Sequence, residues 1–269
     1  MKELSVIIVT YNSEPDIYGS LESLFAHNDI GDALEVIVVD NNSRDFAHMR
    51  DELNRTYGEQ VIVLQNTRNG GYGQGNNIGI KQASSPIIMI MNPDVRIMNI
   101  SLNEIIKYYS NDARLAILGF HQIINLAGRR GTSFSMLNHY HGLIRLLGGV
   151  IANRLNWFCW QHMYFCGACF CVRKEMFEQA GLFDENIFLY GEENDIHYRI
   201  HRTFPKAHDK YMRKMEYLHP TENRPTSEKS IQLRLQSNEY VMLKQGREAG
   251  TYIRSEEQRM KWSRRLFRR

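Results

Sequence analysis

Four short apolar runs in the N-terminal part of the chain each end in a polar segment. They cover residues 4–10, 36–39, 61–64 and 87–91. Their apolar residues are consecutive and do not alternate with polar ones, which is typical of parallel strands covered on both faces. Helical patterns lie between the runs, so the order is βαβαβαβ. This order predicts an α/β protein with right-handed crossovers and an open, mostly parallel sheet flanked by helices.

Two of the helices can be placed from their own pattern. After a capping-box-like start at Ser13, the apolar residues from Ile17 to Phe25 fall on one helix face. A shorter and weaker pattern covers residues 76–83. Both segments follow a predicted strand, as expected for crossover helices.

Polar residues follow each of the four runs. They are Tyr11 and Asn12, the segment 40–43 (DNNS), the segment 68–73 (RNGGYG), and the segment 92–94 (NPD). The carboxyl ends of parallel strands share one edge, where such sheets bind ligands. An aromatic ring can stack on a base, glycine-rich backbone can approach phosphates, and a carboxylate can hold a divalent cation. Together these segments predict a site for a metal-bound nucleoside diphosphate.

A dinucleotide-binding dehydrogenase is excluded by the position of the glycines. Such an enzyme needs G-x-G-x-x-G directly after the first strand. Here that position reads TYNSEP, and the glycine-rich GGYGQG follows the third run instead.

Net charge and cysteine spacing argue against two further kinds of function, nucleic-acid binding and a zinc site formed by the cysteines. The formal net charge of +3 is too small to indicate a nucleic-acid partner. Cys166 and Cys169 form a C-x-x-C pair, but no second pair or histidine pair at zinc spacing accompanies it. We therefore interpret the segment YFCGACFCV as a buried strand in which cysteine serves as a small apolar residue.

The first apolar run is too short for a signal peptide or a membrane span, and no run of spanning length follows. This predicts a cytoplasmic protein. The C-terminal segment MKWSRRLFRR combines apolar and basic residues. It is typical either of a short interfacial helix on an anionic membrane, at the cytoplasmic face of the inner membrane, or of a solvated terminus.

An acidic cluster, Glu192, Glu193 and Asp195, follows NIFLYG and precedes a helical pattern. Clustered carboxylates raise one another's pKa, which suits a general base near neutral pH. Acidic residues are also enriched at helix N-termini, where the helix dipole favours them. The cluster by itself leaves both interpretations open.

Five blocks in this order resemble inverting family 2 glycosyltransferases, with the greatest similarity to the rhamnosyltransferase-like branch. They are SVIIVTYNS, VIVVDNNSRD, NTRNGGYGQGNNIGI, IIMIMNPDV and GLFDENIFLYGEENDIHYRI. The resemblance covers roughly residues 4–220 and implies the GT-A fold. It implies a domain over 1–220, with a nucleotide-sugar-binding half (1–100) and an acceptor-binding, catalytic half (101–220). Residues 221–269 then form a helical extension with a basic tail.

On the donor side, the resemblance implies that Tyr11 lies against the base and that Asp40 recognises base or ribose. Asn92-Pro93-Asp94 stands where many relatives have Asp-x-Asp, so Asp94 is the implied ligand of Mg²⁺ or Mn²⁺, with one charge fewer nearby. The full set implied to line the donor is Thr10, Tyr11, Asn12, Asp40, Asn42, Arg68, Asn69, Gly71, Tyr72, Asn76, Asn92, Pro93 and Asp94.

On the acceptor side, the resemblance favours the catalytic interpretation of the acidic cluster. Glu193 is the implied general base and Glu192 the alternative, while Asp195 contacts the acceptor or pairs with Arg199. His219 stands where relatives carry a histidine that reaches the metal or the diphosphate. Three further residues are candidates for acceptor contact: Trp160, Tyr190 and Arg199.

The function expected from these residues is transfer of a sugar to a hydroxyl of a glycan or lipid-linked glycan in cell-surface polysaccharide synthesis. The resemblance favours dTDP-rhamnose as donor, with UDP-sugars next. Two alternatives remain open. A nucleotidyltransferase that makes nucleotide sugars would be expected to carry a basic, glycine-rich loop after the first strand, and a non-catalytic nucleotide-sugar-binding module would leave the acidic cluster without a function.

Overall fold

A computed structural model of the chain describes residues 1–138, 140, 142–221 and 227–266, with backbone alone at 142–143, 251 and 259–266. Within these residues the strands are β1 (Leu4–Thr10), β2 (Leu34–Asp40), β3 (Val61–Gln65), β4 (Ile87–Met91), β5 (Arg96–Asn99), β6 (Leu115–Ile123), β7 (Phe134–Met136), β8 (Met163–Phe165), β9 (Cys169–Arg173) and β10 (His208–Leu218). The helices are α1 (Glu14–Ala26), α2 (Phe46–Tyr57), α3 (Gly71–Gln82), α4 (Leu102–Asn111), α5 (Gly142–Leu155), α6 (Lys174–Gln179), α7 (Glu192–Thr203), α8 (Glu228–Lys244) and α9 (Ala249–Leu266).

Eight of these strands form one sheet in the order β3-β2-β1-β4-β9-β6-β10-β5. Strands β3, β2, β1 and β4 are parallel to one another. Strand β9 is antiparallel to both β4 and β6, which makes β6 and its parallel neighbour β10 run in the same direction as β4. Strands β7 and β8 pair separately as an antiparallel ribbon. The prediction of an α/β protein with a mostly parallel sheet is confirmed.

Both faces of the large sheet are covered, which accounts for the consecutive apolar residues in its strands. In β1, Val6 and Ile8 pack into one core with α1, whereas Ile7 packs into a second core with α3 and α7. All three side chains are fully buried. Burial of an aliphatic side chain contributes about 1.5–3 kcal/mol, so this double coverage stabilises the sheet that positions the site.

Helix α1 confirms the pattern-based assignment, since Ile17, Leu21 and Leu24 are fully buried on one face. The second assignment was too short, because α3 begins at Gly71, inside the glycine-rich segment, and not at residue 76. Helix propensity underestimates the length of this helix, because glycine is a weak helix former. The glycines are required there because neighbouring residues pack closely against them.

The segment YFCGACFCV is not one strand. It forms the end of β8, a turn at residues 166–168, and β9. Cys169 and Cys171 are buried in β9, while Cys166 is half-buried in the turn. Trp157, which follows α5, is 56% exposed. The tail segment MKWSRRLFRR is helical in backbone up to Leu266, and its side chains lie outside the described residues.

Candidate functional site

The carboxyl ends of several parallel strands converge at one edge of the sheet. Strands β1, β2 and β4 end at Thr10, Asp40 and Met91. Strand β10 ends at Leu218 beside the end of β6, and the amide of the next residue, His219, donates to Ile123 O (2.9 Å). The sheet therefore brings His219 to the edge where the predicted donor residues lie.

The loops after β1 and β2 are fastened to each other. Asn12 and Asn42 adopt left-handed backbone conformations, with φ of 49° and 65°. The amide of Asn12 donates to Ser43 Oγ (2.8 Å), and Thr10 Oγ1 donates to Asp40 Oδ1 (3.0 Å). Asparagine tolerates this conformation better than most residues, which is why tight loops form here. Tyr11, 51% exposed, is thus held on a rigid support with its ring accessible.

The glycine-rich segment forms the first turns of α3, packed against the loop that leads to the acidic cluster. Gly71 has φ +88°, and a Cβ there would lie 2.2 Å from Phe188 O. The amide of Tyr72 donates to the same carbonyl (3.1 Å), and the Tyr72 hydroxyl donates to Gly167 O (2.5 Å). Only glycine permits this approach, so Gly71 lets the segment after β3 pack directly against the loop that precedes the acidic cluster.

The remaining donor-side candidates surround this helix start. Asn69 Oδ1 accepts from the Gly71 amide (3.1 Å), and Asn76 Nδ2 donates to Tyr72 O (2.9 Å). Arg68 is exposed beside them. Sequence analysis missed Asn41, which is buried and donates to Gly71 O (2.9 Å). Its place within the DNNS motif was the available signal.

Asp94 and His219 face each other at the end of β4. Asp94 is 6% exposed and His219 8% exposed, and Asp94 Oδ2 lies 3.4 Å from His219 Nε2. The His219 Nε2 atom is buried and makes no hydrogen bond within the described residues. A buried imidazole nitrogen facing a carboxylate is a donor set that a divalent cation can occupy. Asn92, half-buried and anchored through its amide to Ala168 O (2.8 Å), and Pro93 hold this turn.

The acidic cluster begins α7. Tyr190 and Gly191 precede the helix in left-handed conformations, with φ of 72° and 100°. Burial raises the pKa of Glu192 well above its ordinary value, and the nearby Glu193 adds to the rise. Burial also raises the pKa of Glu193, although backbone N–H groups, including that of Gly167, lower it in part. Two carboxyl groups with raised pKa values thus stand side by side at the helix start.

Gly167 determines where the Glu193 side chain lies. A Cβ at position 167 would lie 1.9 Å from Glu193 Oε1, so any larger residue would displace this carboxylate. Sequence analysis considered the CGAC segment only as cysteines and overlooked its glycine.

We name the sheet edge at which β1, β2 and β4 end, with His219 after β10, the donor edge. A cavity of about 790 Å³ connects the donor edge with the acidic cluster. Its wall includes Tyr72, Asn92, Tyr190, Glu192, Glu193 and His219. A second cavity of about 520 Å³ shares Tyr190 and Glu193 with the first. Arg234 of α8 lines both, with its guanidinium 4.8 Å from the centre of the Tyr190 ring. No motif marked Arg234 in the sequence.

Two acceptor candidates, Arg199 and Trp160, lie away from this cavity. Asp195 is fully buried and accepts from Arg199 Nε (2.8 Å) and from Lys244 Nζ (3.0 Å). The predicted Asp195–Arg199 pair is present, and Arg199 lines a separate pocket beside Asp184. Trp160 stacks on His201, with ring centroids 4.5 Å apart, and lines a third cavity of about 260 Å³. Acceptor roles for Trp160 and Arg199 remain predictions.

His197, His201 and Asp209 form a further cluster that sequence analysis did not identify. His197 and His201 lie one turn apart on α7, and Asp209 lies near the start of β10. Burial by itself would raise the pKa of Asp209, but its contacts with the two histidines lower it to about 2. The available signal was the H-x-x-x-H spacing of His197 and His201. This is a zinc spacing, so the statement that no histidine pair at zinc spacing accompanies the cysteines was wrong.

Comparison with known proteins agrees with this geometry. The family model described as glycosyl transferase family 2 matches residues 5–181. The chain is 28% identical over 214 residues to the low-salt glycan biosynthesis hexosyltransferase Agl10 of Haloferax volcanii, covering 75% of this chain and 62% of that protein. It is 26% identical over 220 residues to the probable glycosyltransferase YdaM of Bacillus subtilis, covering 77% and 50%. The chain thus spans only part of the length of these relatives.

Solved structures share the fold. The mannosyltransferase PcManGT from Pyrobaculum calidifontis, in complex with GDP-Man and Mn²⁺, superposes with a TM-score of 0.65 at 15% identity, covering 94% of this chain and 68% of that one. Residues 1–349 of S. aureus TarS, in complex with UDP, superpose with a TM-score of 0.59 at 18% identity, covering 93% and 68%. The predicted GT-A fold is confirmed. Among the described residues, no helix has the length and apolar character needed to cross a membrane.

Proposed function

This chain belongs to glycosyl transferase family 2, and we propose that it is an inverting glycosyltransferase that moves a sugar from a nucleoside diphosphate to an acceptor hydroxyl. One observation carries the proposal. The cavity of about 790 Å³ is lined both by Asn92 and His219 of the donor edge and by Glu192 and Glu193 of the acidic cluster. A donor diphosphate and an acceptor hydroxyl can therefore meet within a single space.

In this proposal Glu193 is the general base. Burial raises the pKa of both Glu192 and Glu193. Glu193 is the member of the pair that lines both cavities, so we assign it the role of base. Glu193 accepts the proton of the acceptor hydroxyl as that oxygen attacks the anomeric carbon opposite the diphosphate. Gly167 and Tyr190 position this carboxylate and the cavity wall around it. Much of the rate then comes from holding the two substrates in line.

On the donor side, Tyr11 stacks on the base, Asp40 accepts from the base or the ribose, and the start of α3 faces the diphosphate. Asp94 and His219 hold Mg²⁺ or Mn²⁺, which when bound supplies positive charge to the departing diphosphate. The buried His219 Nε2 atom, which has no hydrogen bond within the described residues, supports this assignment. We propose dTDP-rhamnose or a UDP-sugar as donor, because Asp40 suits the N3–H that thymine and uracil share.

Residues 1–100 are proposed as the donor half and 101–220 as the acceptor half. The extension 221–269 contributes to the site through Arg234, which lines both cavities beside Glu193.

A lipid-linked glycan is the acceptor that the surroundings of the cavity favour. Helix α5 exposes four large apolar side chains at helical spacing: Ile144 (67%), Leu147 (48%), Ile151 (55%) and Leu155 (70%). Val150 and Arg154 of the same helix line the cavity. An apolar helix face with a nearby arginine suits an anionic membrane surface. We propose that α5, together with the basic tail, places the cavity against such a surface during cell-surface polysaccharide synthesis.

Thermal unfolding with dTDP, UDP and GDP, each with and without Mg²⁺ or Mn²⁺, tests the proposal. A ligand at one hundred times its dissociation constant adds about 2.7 kcal/mol to the unfolding free energy. A cation-dependent rise with dTDP or UDP that Asp94→Ala abolishes is the expected result. No rise with any nucleotide would contradict the donor site, and a rise with GDP alone would contradict the proposed bases.

A further inference from the structure

We propose that His197, His201 and Asp209 form a second metal site, distinct from the donor edge, that binds Zn²⁺. These residues offer two imidazole nitrogens and one carboxylate oxygen, and the three atoms lie within 4.8 Å of one another. Imidazole and carboxylate together are a common ligand set for zinc. The site does not depend on the proposed transferase activity, because none of its residues lines the cavity of about 790 Å³ that is proposed to hold the substrates.

The two imidazole rings face the Asp209 carboxylate, one at each oxygen. His197 Nδ1 lies 3.0 Å from Asp209 Oδ2, and His201 Nε2 lies 3.1 Å from Asp209 Oδ1. One carboxylate oxygen and the two ring nitrogens lie within 4.8 Å of one another, whereas tetrahedral zinc bonds of 2.0–2.2 Å place neighbouring ligand atoms about 3.3 Å apart. Side-chain rotations that draw the three atoms together by up to about 1.5 Å would surround an ion.

A hydrogen-bonded triad without metal does not account for every contact. His197 Nδ1 and Asp209 Oδ2 are both buried, yet neither has a hydrogen-bond partner within the described residues, although they lie 3.0 Å apart. A buried donor and acceptor at this distance would be expected to orient toward each other. In a metal site, both lone pairs are directed at the ion instead. The other carboxylate oxygen, Oδ1, accepts from the Ile117 amide (3.2 Å) and lies at hydrogen-bond distance from His201 Nε2 (3.1 Å), which fixes the Asp209 side chain.

The site has a route for an ion and room for a fourth ligand. The cavity of about 260 Å³ is lined by His197 and His201, and also by Asn194 and Gln245. Trp160 stacks on the His201 ring and limits its rotation. Water or a polar side chain from this cavity can complete the coordination.

The position of the site gives it a structural role. His197 and His201 lie on α7, whose first residues are Glu192 and Glu193, and Asp209 lies on β10, whose end leads to His219. Zinc would thus join the helix that carries the proposed base to the strand that delivers a proposed ligand of the donor cation. We expect its removal to loosen the packing of α7 on the sheet.

Metal content and thermal stability test this inference in the full chain. The protein is stripped with a chelator, reloaded with Zn²⁺, passed through a desalting column, and analysed for zinc by mass spectrometry. We expect close to one retained zinc per chain and a higher melting temperature after reloading. His201→Gln should lose both effects. His208→Gln, which removes a half-exposed histidine at the start of β10 that pairs with Asp112, is the matched control and should keep both.

Asp94→Asn separates this site from the donor edge. Zinc retained by Asp94→Asn and lost by His201→Gln or His197→Gln would support the assignment. If the stripped chain retains no zinc after reloading, or if His201→Gln folds and retains as much zinc as His208→Gln, the assignment is wrong. Zinc lost in Asp94→Asn but kept in His201→Gln would place the ion at the donor edge and would equally overturn it.

Discussion

The donor edge comes from successive βα units, whereas the rest of the cavity wall comes from separated segments. Strands β1, β2 and β4 each deliver their polar loop directly at the edge of the sheet. The rest of the wall combines the turn at Gly167, the start of α7 at Glu192 and Glu193, and Arg234 of α8. The donor edge therefore follows from strand direction, while the wall depends on how distant segments pack. Substitutions at the donor edge should change nucleotide binding, whereas substitutions in the rest of the wall should change the chemical step and leave nucleotide binding intact.

The largest effect is expected at the donor edge. Asp94→Asn should lower the rate by on the order of a thousandfold, because it removes the carboxylate proposed to hold the cation beside the diphosphate. Nucleotide release from a panel of dTDP- and UDP-sugars measures the rate, and calorimetry measures nucleotide affinity with and without Mn²⁺. The affinity should lose its dependence on Mn²⁺. Unchanged cation dependence would remove Asp94 from the metal site.

Glu193→Gln is expected to lower kcat by about a few hundredfold and leave nucleotide affinity intact, because it removes the proton acceptor and keeps the shape. The wild-type rate should fall as the pH drops through the pKa of Glu193, which burial raises above the ordinary 4.5, since protonation disables a base. This acid limb should disappear in Glu193→Gln. Glu192→Gln is the matched control. A larger loss of kcat in Glu192→Gln than in Glu193→Gln would make Glu192 the general base.

Gly167→Ala tests whether the wall positions the base. Its Cβ would meet Glu193 Oε1 at 1.9 Å, so the carboxylate must shift, and we expect about a hundredfold loss in kcat. Calorimetric nucleotide affinity should stay close to that of the wild type. Gly128→Ala is a control, because the space around Gly128 is open, although its positive φ carries some backbone strain. Equal losses in both variants would indicate a general effect of backbone strain.

The smallest effect is expected on the outer face of α5. Leu147→Ser combined with Ile151→Ser should reduce binding to anionic vesicles about tenfold, because two exposed apolar side chains no longer enter the interface and the charge is unchanged. Vesicle co-sedimentation measures the binding. Leu243→Ser, at an exposed position on α8 (60%), should have little effect. Vesicle binding that is unchanged by the α5 substitutions, or absent in the wild type, would contradict a membrane role for this face.

The pattern of apolar residues along the chain was sufficient to predict β1–β4, because a strand covered on both faces requires consecutive apolar residues. It was insufficient for α3, where the glycines at 71 and 75 lower helix propensity but are required by contacts with Phe188 and with Val9 and Asn41. The role of the CGAC segment was missed for a related reason. Its two cysteines were interpreted as small apolar residues of a strand, while the residue that contacts Glu193 is the glycine between them.

By itself, the sequence determined the α/β class, the family, and the edge at which Tyr11, Asp40 and Asp94 lie, because strand pattern and strand direction are local properties. The resemblance also implied that His219 reaches the metal that Asp94 would hold. Only the tertiary structure placed Arg234 beside Tyr190, and Asp209 against His197 and His201. These pairs are far apart along the chain or on different elements. Their contacts depend on sheet order and helix packing, which arise from the burial of the whole core and leave no periodic signal in the residues themselves.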